Sequence, residues 1–266
     1  LSSPATLLTR AQTARIRQLL RDKRARNTEG AFVIEGAKSV YDAIVYHPAS
    51  VQSLVLSADH ERRETVHQRD LRTSLNISSF RCSDRTFSGL STLDSPPGIL
   101  AVVRKPQWNQ DQVLQQPKLF GMFGEHLQDP TNVGTIVRTA AALNVDALWL
   151  TPESADLYNP KVVRASAGAV LSLPIFIIPD AGGLASRGIE VYAAVASGSG
   201  SIVLETIRSL PPRLLLAVGN ESRGLSADTI KQAACCFTIP LHRNVESLNV
   251  AATAAIAVHY LRRQPS

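Results

Sequence analysis

The sequence predicts an α/β protein in two parts: a small α/β domain, then a larger one built on a mostly parallel sheet with helices on both faces. Three observations carry this. From 118 to 263, short apolar strand-like runs alternate with helix-like segments, and a similar alternation fills 6–104. Between them lies a polar stretch bracketed by Pro106 and Pro117. Strand–helix alternation favours parallel strands joined by crossover helices, with both sheet faces covered.

The elements follow in order. A helix is expected through residue 26, then FVIEG (32–36) as a strand, a helix from Ala37 to Tyr46, VQSLVL (51–56) as a strand and a polar helix near 60–74. ISSFRC (77–82) and GILAVV (98–103) complete this part as strands. RKPQWNQDQVLQQPK (104–118) has a linker's composition, which gives domains at 1–104 and 118–266 with a linker at 105–117. Beyond it, strands at 118–123, 147–150, 173–178, 190–195, 213–218 and 236–239 alternate with helices at 132–144, 160–167, 181–187, 226–233 and 247–262. No internal repeat or low-complexity segment interrupts the pattern.

Hydrophobic residues make up 44% and charged residues 19%, an ordinary globular balance. The formal charge of +6 is concentrated: residues 10–26 hold Arg10, Arg15, Arg17, Arg21, Lys23, Arg24 and Arg26 against Asp22 alone. Such a run is either a solvated helix face or a seat for nucleic-acid phosphates, whose condensed counterions Lys and Arg displace. The whole of residues 1–26, rich in Arg, Ser and Thr and nearly free of acid, also fits an organelle transit peptide. We read it as a structured basic helix. Cys82, Cys235 and Cys236 form no C-x-x-C pair, so they are expected as small apolar side chains in a reducing compartment. The longest apolar run, GAVLSLPIFIIP (168–179), is broken by Pro174 and falls short of the roughly 18 residues of a membrane span. A soluble protein is expected.

Three stretches each join a strand-like run to a polar turn that opens a helix: QDPTNVGTIVRTAAAL (128–143), LLLAVGNESRGL (214–225) and IPLHRNVESLNVA (239–251). All three lie beyond the carboxyl ends of expected strands, where ligands of open α/β sheets collect. In the first, Arg138 follows Gly134 by one turn, and helical side chains lean toward the N-terminus, so its guanidinium is aimed at the helix start. That end already favours anions. Arg138 therefore reads as part of an anion site, as a group that polarises a hydroxyl, or as a solvent-facing residue. In the second, Gly219 at the end of a buried strand admits a ligand close to the backbone, and Glu221 is either a helix cap or a ligand's hydrogen-bonding partner. In the third, Ser247 is a candidate N-cap, whereas Asn249, a poor helix former in the expected first turn, is aimed at the same crevice as Glu221.

Common phosphate-binding signals are missing. There is no G-x-x-x-x-G-K-[ST], and the nearest approach to G-x-G-x-x-G, GSGSIV (198–203), ends in Val203. His126 and His242 lack metal-ligand spacing, so no metal is expected.

The order Asn132, Gly134, Arg138, then Gly219, Asn220, Glu221, Gly224, then Ile239, Pro240, Ser247, Leu248, Asn249, Val250 resembles the three motifs of the SpoU/TrmH branch of the SPOUT methyltransferases. The resemblance covers nearly all of 118–263. Residues 23–36 and 98–103 resemble, more loosely, the two ends of the ribosomal-protein-like substrate-binding domain that many such enzymes carry. It implies S-adenosylmethionine as methyl donor, an RNA ribose 2′-hydroxyl as acceptor, a homodimer and a deep C-terminal trefoil knot. Carried over by position, Gly219, Asn220, Ile239, Leu241, Ser247 and Leu248 bind the cofactor. Arg138 is the central catalytic residue, with Asn132, Glu221, Ser247 and Asn249 supporting it.

The basic run, with Arg15, Arg17, Arg21, Lys23, Arg24 and Arg26, is then expected to bind RNA. Ribosomal RNA of the large subunit is favoured over transfer RNA, because members with such an N-terminal domain tend to act on it. The main rival is a non-catalytic RNA-binding or ribosome-assembly factor, and the other is a nucleotide-using oxidoreductase on an α/β fold. A bacterial cytoplasm is the expected location, with an organelle matrix as the alternative. One departure is Leu241-His242-Arg243, where relatives often have Met-x-Gly.

Overall fold

The computed structural model describes residues 6–74, 77–198, 200–243 and 245–265. Residues 1–5 of the expected RNA-binding domain, Ser199 of the GSGSIV stretch, Asn244 of the third motif and Ser266 lie outside them. The first half runs β1 (Thr6–Leu7), α1 (Arg10–Arg21), α2 (Lys23–Glu29), β2 (Ala31–Glu35), α3 (Ala37–Tyr46), β3 (Val51–Ser57), α4 (Ala58–Arg63), α5 (Val66–Ser74), β4 (Ser78–Cys82), α6 (Asp84–Ser88) and β5 (Ile99–Arg104). Then follow α7 (Gln110–Leu114), β6 (Leu119–Gly124), α8 (Pro130–Ala142), β7 (Ala147–Leu150), α9 (Pro160–Ala165), β8 (Ile175–Ile177) and α10 (Gly182–Ala185). The chain closes with β9 (Glu190–Ala194), β10 (Ile202–Val203), β11 (Arg213–Val218), α11 (Ala227–Gln232), β12 (Cys235–Thr238) and α12 (Val250–Leu261). No helix among the described residues is long and apolar enough to cross a membrane.

Two compact units result: Leu1–Gln107 with Asp156–Leu171, and Trp108–Ala155 with Ser172–Ser266. In the first, the sheet order is β1-β4-β3-β5-β2, with β1, β4 and β3 parallel and β5 antiparallel to both its neighbours. Ile16, Leu19 and Leu20 of α1 pack with Phe87 and Leu90 against Val33, Val55 and Val102 of the sheet. The expected single basic helix is two. Asp22, with φ −115 and ψ 118, ends α1 and caps α2 by accepting from the Arg24 N–H, and an extended residue there breaks the helical hydrogen-bond series.

Residues 156–171, expected in the second domain, complete the first unit instead. The Asp156 carboxylate accepts from Arg26 Nε at 3.1 Å and Nη2 at 2.5 Å, while Arg26 Nη1 donates to the Leu19 carbonyl at 2.7 Å. The Tyr158 ring lies 4.8 Å from that of Phe32, with Lys105 Nζ 4.6 Å from its centre. Burial, aided by Asp156, pushes the Tyr158 phenol up to about 12. Arg164 of α9 donates to Thr92, whose hydroxyl donates in turn to buried Glu35.

Arg26 is only 3% exposed, which corrects its expected role as an RNA contact. A buried guanidinium needs its acceptors more than it can serve a phosphate. Asp156→Ala is expected to destabilise the protein by about 3–5 kcal/mol, the usual result of orphaning one partner of a buried pair. Urea unfolding measures it. The double variant Arg26→Met with Asp156→Leu should recover most of the loss.

In the second unit all seven strands are parallel, in the order β10-β12-β9-β11-β6-β7-β8. Trp149, Phe123, Val191 and Leu215 form the core of one face, and α12 packs on α8 and β11. The expected linker is part of this unit: Asn109 caps α7, whose Val113 and Leu114 are buried in the same core. From β6 the chain steps outward to β7 and β8, then returns to build β9 to β12 on the other side. The direction of winding therefore reverses between β6 and β11, which opens a crevice at the carboxyl ends of the strands.

Candidate functional site

Leu214–Val218 are all buried, as a central strand requires, and Gly219 follows at the strand's end. A Cβ on Gly219 would sit 2.2 Å from the Gly224 carbonyl carbon and 2.3 Å from the Leu225 nitrogen. The expected reason for this glycine was room for a ligand. Its bare side instead faces its own chain, because the loop folds back so that Asn220 and Gly224 exchange two backbone hydrogen bonds, of 3.0 and 2.9 Å. Gly224, at φ 68, supplies the left-handed turn. The Asn220 side chain fastens the loop from within: Oδ1 accepts from the Ser222 and Arg223 N–H groups, and Nδ2 donates to the His126 carbonyl at 2.8 Å.

Glu221 is no cap, since Ser226 caps α11. Its Oε1 accepts from Asn132 Nδ2 at 2.9 Å, and Asn132 Oδ1 accepts from Asn249 Nδ2 at 2.8 Å. Asn249 Oδ1 in turn accepts from the Ala251 and Ala252 N–H groups as the N-cap of α12. Its extended backbone, at ψ 137, places the helix start at Val250 rather than at Ser247, the expected start. The result is a hydrogen-bonded chain from Asn249 through Asn132 to Glu221, drawing one residue from each of the three motifs. Asn132 is 9% exposed, so truncating it would strand amide and carboxylate partners in a partly dry site.

The ends of β9, β11 and β12, with the segment leading into α12, wall a cleft of about 770 Å³. Gly219, Asn220, Glu221, Ile239, Leu241, Ser247 and Leu248 all line it. Val195–Ser197, Arg223 and Ile230 line it too, and sequence reasoning singled out none of them for the site. The small residues that follow the apolar run of β9 were the available signal. Buried Glu125 was also missed. It accepts from the Ser226 N–H and hydroxyl, each at 2.7 Å, and from the Thr229 hydroxyl at 2.9 Å, tying the end of β6 to α11.

Arg138 stands apart. It is exposed on α8 and, among the described residues, makes no hydrogen bond or ion pair and does not line this cleft. Of the other expected RNA contacts, Arg15 is held by Glu29 and Gln52, while Arg17, Arg21, Lys23 and Arg24 are exposed.

Residues 122–259, just over half the chain, match the SpoU rRNA methylase family. The chain belongs to this family. Residues 13–101 match the MRM3-like substrate binding domain, so both halves of this SpoU methylase are accounted for. It is 31% identical over 246 residues to the 23S rRNA (guanosine(2553)-2′-O)-methyltransferase RlmP of Bacillus subtilis, covering 91% of this chain and 93% of that one. It is 29% identical over 271 residues to the 23S rRNA (uridine(2479)-2′-O)-methyltransferase of Streptomyces viridochromogenes, covering 97% and 92%. The crystal structure of the SpoU methyltransferase AviRb from Streptomyces viridochromogenes, in complex with AdoMet, superposes with a TM-score of 0.83 at 25% identity, covering 96% of this chain and 98% of that one. The parallel sheet of the second unit is thus that of the SPOUT methyltransferases.

Proposed function

We propose that this SpoU methylase transfers a methyl group from S-adenosylmethionine to a ribose 2′-hydroxyl of large-subunit ribosomal RNA. The observation that carries the reading is the hydrogen-bonded chain Asn249–Asn132–Glu221 at the edge of a cleft walled by the expected cofactor residues. The cleft fits the cofactor in size and chemistry. Its volume lies within the usual range for small-molecule pockets of about 300–1,000 Å³. Ile239, Leu241 and Leu248 offer apolar surface for a base, the 219–224 loop offers backbone polar groups, and Glu221 and Glu246 offer carboxylates for a cation.

When bound, the cofactor supplies a methyl group on a positive sulfur. The protein's task is alignment and removal of the hydroxyl proton. Glu221, held by Asn132, fixes the loop that fronts the cleft, and Ser247 stands beside it as a hydrogen-bonding group. The guanidinium of Arg138 shares a phosphate with the RNA and polarises the acceptor hydroxyl, a role that fits a group too basic to take the proton alone. Arg138 acts on the cleft of a second copy. Its exposure on α8 supports this, as does the exposed apolar side of the neighbouring α12 at Ile256.

The reading includes a homodimer, a deep trefoil knot and a bacterial cytoplasmic location. The knot is supported by the insertion of β11 between β6 and β9, and of β12 between β9 and β10. The 23S rRNA specificity of the relatives supports the substrate. Transcripts of 23S rRNA and of transfer RNA, incubated with the protein and labelled cofactor, are expected to gain a ribose 2′-O-methyl mark in the 23S RNA alone. A base-methylated product, or label in neither RNA, refutes the reading.

A further inference from the structure

A second cleft, of about 430 Å³, shares Asn220 and 222–225 with the first and is closed by Glu125, His126 and Gln128. The proposed methyl transfer makes no use of it. Among the described residues, the side chains of Gln128, Ser222 and Arg223 make no hydrogen bond or ion pair, and the His126 ring approaches only the Glu153 carboxylate, at 3.8 Å. Three polar side chains thus line one cavity uncommitted, beside an imidazole whose ring approaches Glu153.

His126 is held with unusual firmness for an exposed residue. Its φ is 54, a left-handed value that few non-glycine residues adopt. Its N–H donates to the Thr151 hydroxyl at 2.9 Å, and its carbonyl accepts from Asn220 at 2.8 Å. The backbone is pinned while the ring stays open to solvent, which fixes the point from which an aromatic surface projects. Glu125, the carboxylate in this wall, has its oxygens engaged by the Ser226 N–H and hydroxyl and the Thr229 hydroxyl, which turns them toward α11. No His, Cys, Asp and Glu cluster among the described residues could hold a metal.

An open imidazole, an amide, a hydroxyl and an unpaired guanidinium are together the equipment for an unstacked nucleotide, in which a ring stacks on the base, polar groups meet its edge and Arg meets phosphate. We propose that this cleft holds the RNA nucleotide next to the methylated one. The base stacks on His126, its edge meets Gln128 and Ser222, and its phosphate meets Arg223. The 222–225 loop, as the common wall, is what the RNA strand crosses in passing from one cleft to the other. The assignment rests on the methyltransferase reading, which brings RNA to the adjoining cleft.

The test fills the first cleft with S-adenosylhomocysteine and titrates uridine and adenosine 5′-monophosphates in turn, following the His126 ring protons by NMR and the affinity by calorimetry. A saturable His126 shift with at least one nucleotide is expected. His126→Asn, which suits a left-handed backbone but cannot stack, should weaken that binding about tenfold, the loss of one base–aromatic stack. Three results would each overturn the assignment: no shift with either nucleotide, the same shift with inorganic phosphate alone, or a shift that S-adenosylhomocysteine abolishes. Methyl transfer is assayed separately on wild-type protein. Nucleotide binding without transfer would sink the enzymatic reading and leave a nucleotide site with no methylated neighbour, whereas transfer without nucleotide binding would leave the enzyme and overturn the cleft.

Discussion

Arg138→Ala is expected to lower methyl transfer by about 10²- to 10³-fold, the usual effect of removing one charge-stabilising donor, while changing cofactor affinity by less than about twofold. Both halves follow from position. The side chain is exposed, makes no hydrogen bond or ion pair among the described residues and does not line the cleft of its own chain. Its removal therefore disturbs neither folding nor the donor site. Single-turnover transfer to 23S rRNA and calorimetry with S-adenosylhomocysteine measure the two halves. Mixing this variant with one that lacks a working donor cleft sharpens the result. If the arginine serves a partner's cleft, mixed dimers regain one intact site of two, and activity returns to roughly a quarter of wild type at equal mixing. If it serves its own cleft, mixing restores nothing. Wild-type turnover in Arg138→Ala alone would remove the residue from the chemistry.

Gly219→Ala supplies the second partner for that mixture and carries the other large effect. Its Cβ would fall 2.2–2.4 Å from backbone atoms of Gly224 and Leu225, and backbone cannot swing aside as a side-chain tip can. The 220–224 loop must move, which pulls Glu221 from Asn132 and Asn220 from the His126 carbonyl. We expect cofactor affinity to fall by about 10²-fold, as a displacement near 1 Å in a positioned site does. Stability should fall by about 1–3 kcal/mol through overpacking. Gly183→Ala is the matched control, because its Cβ would meet nothing within 4 Å. Unaltered affinity in Gly219→Ala would mean that the loop does not shape the donor cleft.

The parallel sheet was legible because its strands are short apolar runs closed by turns, and β6, β7, β9, β11 and β12 lie within a residue of expectation. The three motifs were legible because each sits at a strand's end. What local pattern could not reveal was pairing at a distance. Arg26 looked like one more member of a basic run, and only Asp156, 130 residues on, makes it a core residue. Asn249 and Ser247 are both good caps, so the helix start was set by which side chain reaches the free N–H groups. The two-residue strands β1 and β10 are too short to leave a periodicity. The polar, proline-bracketed 105–117 stretch hid Val113 and Leu114, two apolar residues that anchor it in the core of the second unit.

The return of 156–171 to the first unit limits how such proteins can be recombined. A chimera that exchanges only the first 107 residues separates Arg26 from Asp156 and Phe32 from Tyr158, and hands each parent surfaces shaped for the other. Grafting a foreign specificity module onto this transferase therefore means transplanting two stretches of gene, with the second taken from the middle of the catalytic half.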